Sequence, residues 1–574
     1  MYCQNPFCQG EPEFENTDKE RLFFGEFEVD EVNTYYCRQC REMRRITFRN
    51  ERNFYKRKCD HSGEEIWSIY HSSSLFKVYH KDVWWSDAWD GLSFGRDFDF
   101  NRNFFEQYHE LMMDVPHPAL IQDRQKNSEF TMDALADIDC YMIFETDNDV
   151  NCHYGNFINC KDSMDCEGAI GSELCYDSLY IKNCHEAVAA EYCVDCSNIY
   201  FSSNLVNCHN CIFCFGLRDQ KNCIFNTQVS ADVFMNFVLQ RQLFRRRSYK
   251  KADDMFMMFL ETAPQRYMYL LKTENSSGDR LINCTDCENC YHLEDGVNCV
   301  NVASACLQVK DSMDCWSIAY GTERSFENQT CVRGGFNFVA NFSNDCSNCF
   351  YIDNCRMCQE CFGCVGLKNK KHCIFNKQYT PEAYRELMPK IKEHMKKTRE
   401  WGQFLPFWAS PFAYNSTLAN IYFPMQKEEY LQMLEISEQH WPPGPRYKRD
   451  HLWLDKKSVE ASKNLTEENN MNVSPPDSIF EAVNDEILNT VYYDRETNEP
   501  FRIMGRELAF YQKMKLPLPD LSFQSRYKKL LGRYNPRKLH ARNCQKCRED
   551  LKTTFKPDSP YIVFCEKCFV SSLK

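Results

Sequence analysis

Lys161-Asp-Ser-Met-Asp-Cys166 recurs letter for letter as Lys310-Asp-Ser-Met-Asp-Cys315, 149 positions on. Cys208, Cys211, Cys214 and Cys223-Ile-Phe-Asn226 return after 150 positions as Cys358, Cys361, Cys364 and Cys373-Ile-Phe-Asn376. The stretch from Asn151 to Asn376 is therefore a tandem duplication, and it holds 25 of the chain's 35 cysteines. A finer period shows inside the first copy, where Asn159-Cys160, Asn183-Cys184 and Asn207-Cys208 are spaced by 24 residues with cysteine steps of about half that between them. Short apolar segments such as Ser178-Leu-Tyr-Ile181, Asn198-Ile-Tyr-Phe201 and Cys349-Phe-Tyr-Ile352 alternate with turn-forming Asn. Short strands that return to the same place in each coil follow from that pattern, with small polarisable cysteines stacked inward and Asn at the corners. The expected fold class is mostly β with helical inserts, a duplicated right-handed parallel β-solenoid flanked by N- and C-terminal zinc-ribbon modules.

Working outward, the two solenoid copies are expected over 137–230 and 281–377, separated by a helical insert over 231–280. Residues from Ala231 to Leu271 lack cysteine and read as two helices, with Phe244-Arg-Arg-Arg247 and Lys250-Lys251 as a basic hinge. The equivalent place after the second copy is again helical, from Thr380 to Lys397, with Pro381 in the first turn. Helices at these places would cap strand edges that an open stack leaves unpaired. A helical and Pro/Tyr-rich connecting region over 378–455 leads to a polar linker over 456–476, which ends in Pro475-Pro476. The terminal modules take 1–115 and 477–574.

With 574 residues the chain exceeds what one core organises, and at 43% hydrophobic and 14% aromatic residues it can bury a sizeable interior. The sequence holds no run of eighteen apolar residues, so no membrane span is expected. The start, Met1-Tyr-Cys-Gln-Asn-Pro-Phe-Cys8, has no basic and apolar leader. So many cysteines without a leader point to a reducing, cytoplasmic setting, where close Cys pairs mean metal or buried thiol rather than disulfide. The net charge of −13 speaks against a wholly basic nucleic-acid protein.

Two cysteine quartets carry the metal expectation. Cys3, Cys8, Cys37 and Cys40 present C-x4-C and C-x2-C pairs, and Cys544, Cys547, Cys565 and Cys568 form a C-x2-C-x17-C-x2-C ribbon. Two turns that each offer a close thiolate pair can close a tetrahedron around zinc, so two structural zinc ions are expected. Basic residues gather beside both. Arg38 to Lys58 holds nine Lys and Arg, and Ser522 to Lys546 holds eight and no acid. Either stretch is a phosphate grip or an exposed solvated face, and Arg533, Arg537, Lys538 and Arg542 are the candidate nucleic-acid contacts.

The terminal modules are themselves related. Arg49-Asn-Glu-Arg-Asn-Phe-Tyr-Lys-Arg-Lys-Cys59 resembles the run from Arg533 to Cys544, and a shift of 485 places Cys37 and Cys40 on Ser522 and Ser525. The same shift sends Cys547, Cys565 and Cys568 to Ser62, His80 and Val83. An ancestral module with two zinc sites would explain this, the N-terminal copy keeping the first and the C-terminal copy the second. Outside the solenoid the acid/base candidates are Asp97, Asp99, Glu106 and His109, with Asp97 and Asp99 on one side of an expected strand beside a helix near Arg102 to Met113. Cys346, Cys349, Cys355, Cys358, Cys361 and Cys364 are dense enough to hold zinc or an iron–sulfur cluster as an alternative to core packing.

Val83-Trp-Trp-Ser-Asp87 with Gly95-Arg-Asp-Phe-Asp99, Asn127-Ser-Glu-Phe-Thr131, Cys361-Phe-Gly-Cys-Val-Gly-Leu367, Ser410-Pro-Phe-Ala-Tyr-Asn415, Leu516-Pro-Leu-Pro519 and Asn535-Pro-Arg-Lys538 are specific strings spread over almost the whole chain. In these the chain resembles the uncharacterised cysteine-rich zinc-ribbon proteins of candidate-phyla bacteria, sometimes labelled a CoA-transferase family. That family keeps more of the terminal zinc cysteines, so Ser522, Ser525 and Val83 are departures. The resemblance implies no known reaction, and the chain shows no Gly-rich phosphate loop and no placed nucleophilic carboxylate.

Three function classes stay open. A non-enzymatic zinc-binding scaffold presenting an extended solenoid surface to a protein partner leads, since both recognisable metal sites are closed. A nucleic-acid-associated protein, bound to RNA, DNA or the ribosome through the basic modules, comes second. A metal- or Fe–S-dependent enzyme comes third.

Overall fold

The computed structural model describes residues 1–31, 35–305, 312–313, 319–455, 473–482 and 486–572. Most of the expected 456–476 linker lies outside these, as do Lys310, Asp311, Asp314 and Cys315 of the second Lys-Asp-Ser-Met-Asp-Cys string. The chain divides into two compact units. One is built from Met1–Leu120, Met268–Ser458 and Arg537–Leu539, the other from Ile121–Tyr267, Val459–Pro536 and His540–Lys574. The first cysteine-rich copy thus shares a unit with the C-terminal module, and the second copy shares one with the N-terminal module.

In the unit that holds the first copy, eleven strands follow one another in chain order from Gln122–Asp123 to Thr227–Gln228. From Glu173 onward their register advances by 12 residues, so that Glu173 faces His185, His185 faces Ser197, Ser197 faces His209 and His209 faces Lys221, all in parallel, whereas around His153–Ile158 the step shortens to 11, with His153 facing Met164 and Gly155 facing Cys166. The backbone makes this step by entering the left-handed region at every third residue, as at Asn183, Glu186, Ala189, Tyr192, Asp195, Asn198, Phe201, Asn204, Asn207 and Asn210. Among L-residues Asn and Asp enter that region at the lowest cost, which accounts for their abundance here. Their side chains also tie neighbouring rungs together. Asn183 Nδ2 donates to Asp195 Oδ1 at 3.0 Å, and Asn198 donates to Asn210 and Asn210 to Asn222 at 2.9 Å each.

The interior is a column of cysteines, among them Cys166, Cys175, Cys184, Cys193, Cys196, Cys208, Cys211 and Cys214, packed with Ile199, Ala187 and Leu205. Each thiol is small enough for the narrow space and has a proton to give to a carbonyl. Cys184 Sγ donates to Lys182 O and to Cys193 O, both at 3.4 Å. Burial holds the Cys166 thiol well above its ordinary range and pushes Cys175 up to about 12, so these side chains are neutral donors. Gly155 marks how closely successive rungs approach, since a Cβ there would stand 2.0 Å from Cys166 O.

The second copy gives a four-stranded parallel sheet from Leu270–Leu271 to Ala303–Ala305 and a seven-stranded sheet from Ser312–Met313 to Lys377–Gln378. Cys284, Cys287, Cys290 and Cys299 line the core of the first, and Cys346, Cys349, Cys355, Cys358, Cys361, Cys364 and Cys373 that of the second. Both copies close on the same antiparallel hairpin, Ile224 facing Thr227 and Ile374 facing Lys377. The two turn residues have positive φ in each, 46° and 59° at Phe225 and Asn226, and 47° and 60° at Phe375 and Asn376. A helix follows each hairpin, Ala231–Arg241 capped by Ser230 and Pro381–Lys397 capped by Thr380. A further helix, Arg246–Thr262, completes the insert. The helix expected after the aromatic segment is Phe104–Asp114. Residues 95–99, expected as a strand bearing Asp97 and Asp99, have no strand pairing. No helix among the described residues is long and apolar enough to cross a membrane.

Candidate metal centres

Cys3 and Cys8 sit on a loop pinned by pairing of Tyr2 with Glu13 and by the Cys3 amide on Pro12 O at 2.8 Å. Cys37 is the cap of the helix Arg38–Ile46 and Cys40 lies in its first turn. The loop and the helix start bring all four Sγ atoms within 4.8 Å of one another, with Cys8 and Cys37 at 3.5 Å. Tetrahedral thiolates at zinc-bonding distance stand about 3.8 Å apart, so the quartet fits that ion. Polar hydrogens point at the sulfurs as a thiolate set requires: the Cys37 amide at Cys3 Sγ, 3.4 Å, and Asn5 Nδ2 at Cys40 Sγ, 3.2 Å. The Cys3, Cys40 and Cys8 thiols turn toward Cys37 and lower its pKa.

The C-terminal quartet repeats the design. Cys544 and Cys547 lie in the turn between His540–Asn543 and Asp550–Thr553, and Cys565 immediately precedes the helix Glu566–Ser572, which carries Cys568. The four Sγ atoms are again within 4.8 Å of one another, with Cys547 and Cys565 at 3.6 Å and the Cys565 amide on Cys544 Sγ at 3.3 Å. Burial works against a Cys544 thiolate, yet the amides of Cys547, Cys565 and Lys546 outweigh it and bring its pKa down to about 6. The two sites differ in exposure. Each has two buried thiols, Cys37 and Cys40 in one and Cys544 and Cys565 in the other, but Cys3 and Cys8 are half-buried whereas Cys547 is exposed and Cys568 half-buried.

The shift of 485 that relates the modules in sequence relates them element by element in structure. Tyr55 faces Ser68 in one hairpin as His540 faces Thr553 in the other. The helix Arg38–Ile46 answers to Phe523–Gly532, the strand Val78–Tyr79 to Val563–Phe564, and the helix Lys81–Trp85 to Glu566–Ser572. Where one module lacks the quartet that the other has, hydrogen bonds hold the corresponding place. In the C-terminal module Asp494 stands where Cys3 stands in the N-terminal one, its amide on Glu499 O at 2.9 Å as the Cys3 amide is on Pro12 O. The Asp494 carboxylate accepts from the amides of Ser522 at 2.7 Å, Glu496 at 2.8 Å and Thr497 at 3.1 Å. Burial opposes its charge, but the Ser522 and Ser525 hydroxyls and those amides prevail and hold its pKa at about 2. In the N-terminal module Cys59 Sγ accepts from the Ser62 amide at 3.5 Å and the His80 amide at 3.3 Å. Sequence reasoning missed Asp494, whose place is set by its pairing with Glu499 and by the distant Ser522 amide.

Four of the nine basic residues in the stretch 38–58 depart from both expectations placed on it. Arg41, Arg44, Arg45 and Arg49 are buried, so they form neither a phosphate grip nor a solvated face. Arg41 pairs with Glu20 at 2.5 Å, Arg44 at 3.6 Å and Arg45 share Glu327, and Arg49 pairs with Glu51. Guanidinium groups are kept inside because each has a carboxylate within reach. The four proposed nucleic-acid contacts are also engaged. Arg533 meets Asp177 and Asp253 at 3.2 Å, and Arg537 meets Glu42 at 2.7 Å. Lys538 donates to Gly10 O at 2.9 Å and Arg542 to Lys556 O at 3.0 Å.

Asp97, Asp99, Glu106 and His109 are turned to different partners. Asp97 accepts from Lys377 at 2.7 Å and Tyr379 at 3.0 Å, Asp99 from the Asn101 amide, and Glu106 from Arg102. His109 is buried between Phe76 and Trp408, and burial lowers its pKa to about 3. In the Cys346 to Cys364 run the thiols spend their protons on carbonyls, Cys355 on Asp353 O and Cys364 O at 3.5 Å each, and Cys364 on Phe362 O at 3.4 Å. Among the described residues, the groups of metal-binding atoms that close on one another are the two terminal quartets.

No protein-family model and no curated protein matches the chain. A solved chain described as an acetyltransferase from Desulfovibrio desulfuricans G20 aligns at 7% identity over 48% of this chain and 81% of that one, with a TM-score of 0.10.

Proposed function

We propose that the protein is a non-enzymatic scaffold, held by two structural zinc ions and built on two right-handed parallel β-solenoids whose faces receive a protein partner. The observation that carries this reading is the pair of four-thiol quartets, each drawn within 4.8 Å. Four sulfurs around one zinc leave no position for substrate or water, which is the arrangement of a structural and not a catalytic ion. The 12-residue register kept from Glu173 to Lys221 supports a closed coil, since parallel strands offset by a fixed step are what a solenoid of that period requires. The ion-paired arginines support a protein partner over a nucleic acid, because phosphate binding would have to displace carboxylates already in place.

Elemental analysis of the full chain, purified anaerobically under reducing conditions, tests this. Two zinc ions per chain are expected, falling to one in Cys37→Ser and to one in Cys565→Ser. Iron with sulfide, or zinc well above two, would overturn the reading and make the Cys346 to Cys364 run a cofactor site.

A further inference from the structure

Each cysteine-rich copy ends in the same hairpin and helix, and the two ends are finished differently. At the end of the second copy the segment Gly91 to Phe100 lies across the turn. Asn376 Nδ2 donates to Gly91 O at 3.0 Å, and the Arg96 amide donates to Phe375 O at 3.1 Å. Gly95 comes so close that a Cβ would stand 2.8 Å from Asn376 O. The Phe98 ring packs on Phe375 at 5.6 Å, and Phe100 follows onto the helix Pro381–Lys397, where it closes a shallow cleft with Pro389, Glu393 and His394. Together with Phe104 and Tyr108, whose rings also pack on Phe375 at 5.3 and 6.3 Å, this segment leaves Phe375 and Asn376 0% exposed.

At the end of the first copy the twin residues keep the same backbone, with positive φ at Phe225 and Asn226. Asn226 makes the same bonds to its own rung, donating to Phe215 O at 2.9 Å and accepting from the Phe215 amide at 2.8 Å, as Asn376 does with Val365. The covering segment has no counterpart among the described residues. No amide among them donates to Phe225 O, and Asn226 Nδ2 has a hydrogen to spare. Phe225 is 37% exposed, and Leu239, the twin of Pro389, is 68% exposed. Met235 and Val233 on the same helix are exposed as well, where the other helix carries Arg385 and Ala383. A turn built to be covered, beside a helix richer in exposed apolar side chains than its covered twin, is a surface with an occupant missing.

We propose that this end of the first copy is a docking site for an aromatic peptide segment of a partner protein, seated as Gly91 to Phe100, a short 3-10 turn at Gly91–Phe94 followed by irregular chain, is seated on the second copy. A backbone amide of the partner meets Phe225 O, a carbonyl meets Asn226 Nδ2, an aromatic ring packs on Phe225, and the next apolar side chain runs onto Leu239. The duplication also sets the selectivity. Lys377 and Tyr379, which hold Asp97, have become Thr227 and Val229, so the partner carries an uncharged residue where the chain's own segment has Asp97. The inference names the partner class for the scaffold reading and rests on it.

The probe is a labelled peptide of the ten residues Gly91 to Phe100 with Asp97→Val, titrated by fluorescence anisotropy onto full-length protein whose zinc content has been measured. Saturable binding is expected, weakened at least about tenfold by Leu239→Glu and by Phe225→Ser. Leu239 is 68% exposed, so an unchanged melting temperature is expected for Leu239→Glu, the deciding variant, whereas Phe225 also packs on Phe213 and Phe259 and its replacement lowers stability as well. The peptide with Asp97 retained should bind more weakly. Absence of saturable binding, or binding that Leu239→Glu leaves unchanged, would overturn the proposal. So would a concentration-dependent dimer in sedimentation that Leu239→Glu abolishes, which would give the face to a second copy, or pelleting with anionic phosphatidylglycerol vesicles lost in the same variant. Failed binding on protein that holds two zinc ions rejects the docking site alone, whereas a different metal content rejects the scaffold reading.

Discussion

Asp494 shows how a single carboxylate can stand in for a metal ion. In the N-terminal module four thiols gather loop and helix start around one point; in the C-terminal module the loop carboxylate binds the helix start through the Ser522 amide and the two serine hydroxyls. The consequence for stability follows from the depressed pKa. An unfolded Asp titrates near 3.8 and the folded one near 2, so the stabilisation is complete above pH 3.8 and disappears as the pH falls from there through about 2. It amounts to about 2 kcal/mol. Asp494→Asn should lower the stability of the full chain by about that amount at pH 7 and flatten its acid unfolding curve between those pH values, as urea melts at stepped pH would register. An unchanged acid limb would mean that Asp494 has no part in holding the module. The cysteine quartets were legible as residues because thiolate spacing is a local pattern. Asp494 was not, because an acid in a turn is common and its partners lie 28 and 31 positions away at Ser522 and Ser525.

At the scale of elements, the rung repeats because each third residue turns left-handed and each thiol returns its proton to a carbonyl nearby. Gly155 is the position where this geometry leaves least room, its missing Cβ facing Cys166 O of the next rung at 2.0 Å. Gly155→Ala must push two rungs apart and should cost about 3 kcal/mol, read as a lower midpoint in chemical denaturation of the reduced protein. A change below about 0.5 kcal/mol would show that the rungs are not held in that register. The period, the Asn steps and the inward cysteines were legible in the sequence, since a repeat writes its geometry into every turn. The buried arginines were not. A run of Lys and Arg looks the same whether it faces water or a carboxylate brought from elsewhere in the chain, and Glu327 is 282 positions from Arg45.

For the whole molecule, the two quartets should behave as separate centres of unequal lability. Cys547 is exposed, whereas no thiol of the N-terminal quartet is. Zinc release to a coloured chelator should therefore proceed in two phases of equal amplitude, the fast one abolished by Cys565→Ser and the slow one by Cys37→Ser. A single phase in the unaltered protein would contradict the assignment. The sequence by itself determined the duplication, the stacked strands, the helices after each hairpin and the eight cysteines of the quartets, because each is set by spacing within a few dozen residues. Tertiary structure alone decided that the first copy shares a unit with the C-terminal module and the second with the N-terminal one. It alone turned Arg41, Arg45 and Arg537 into ion pairs with distant carboxylates, and covered Phe375 fully while leaving Phe225 37% exposed. The physical reason is common to all three: burial and charge pairing depend on which surface arrives from a distant part of the chain, and local spacing carries no record of that arrival.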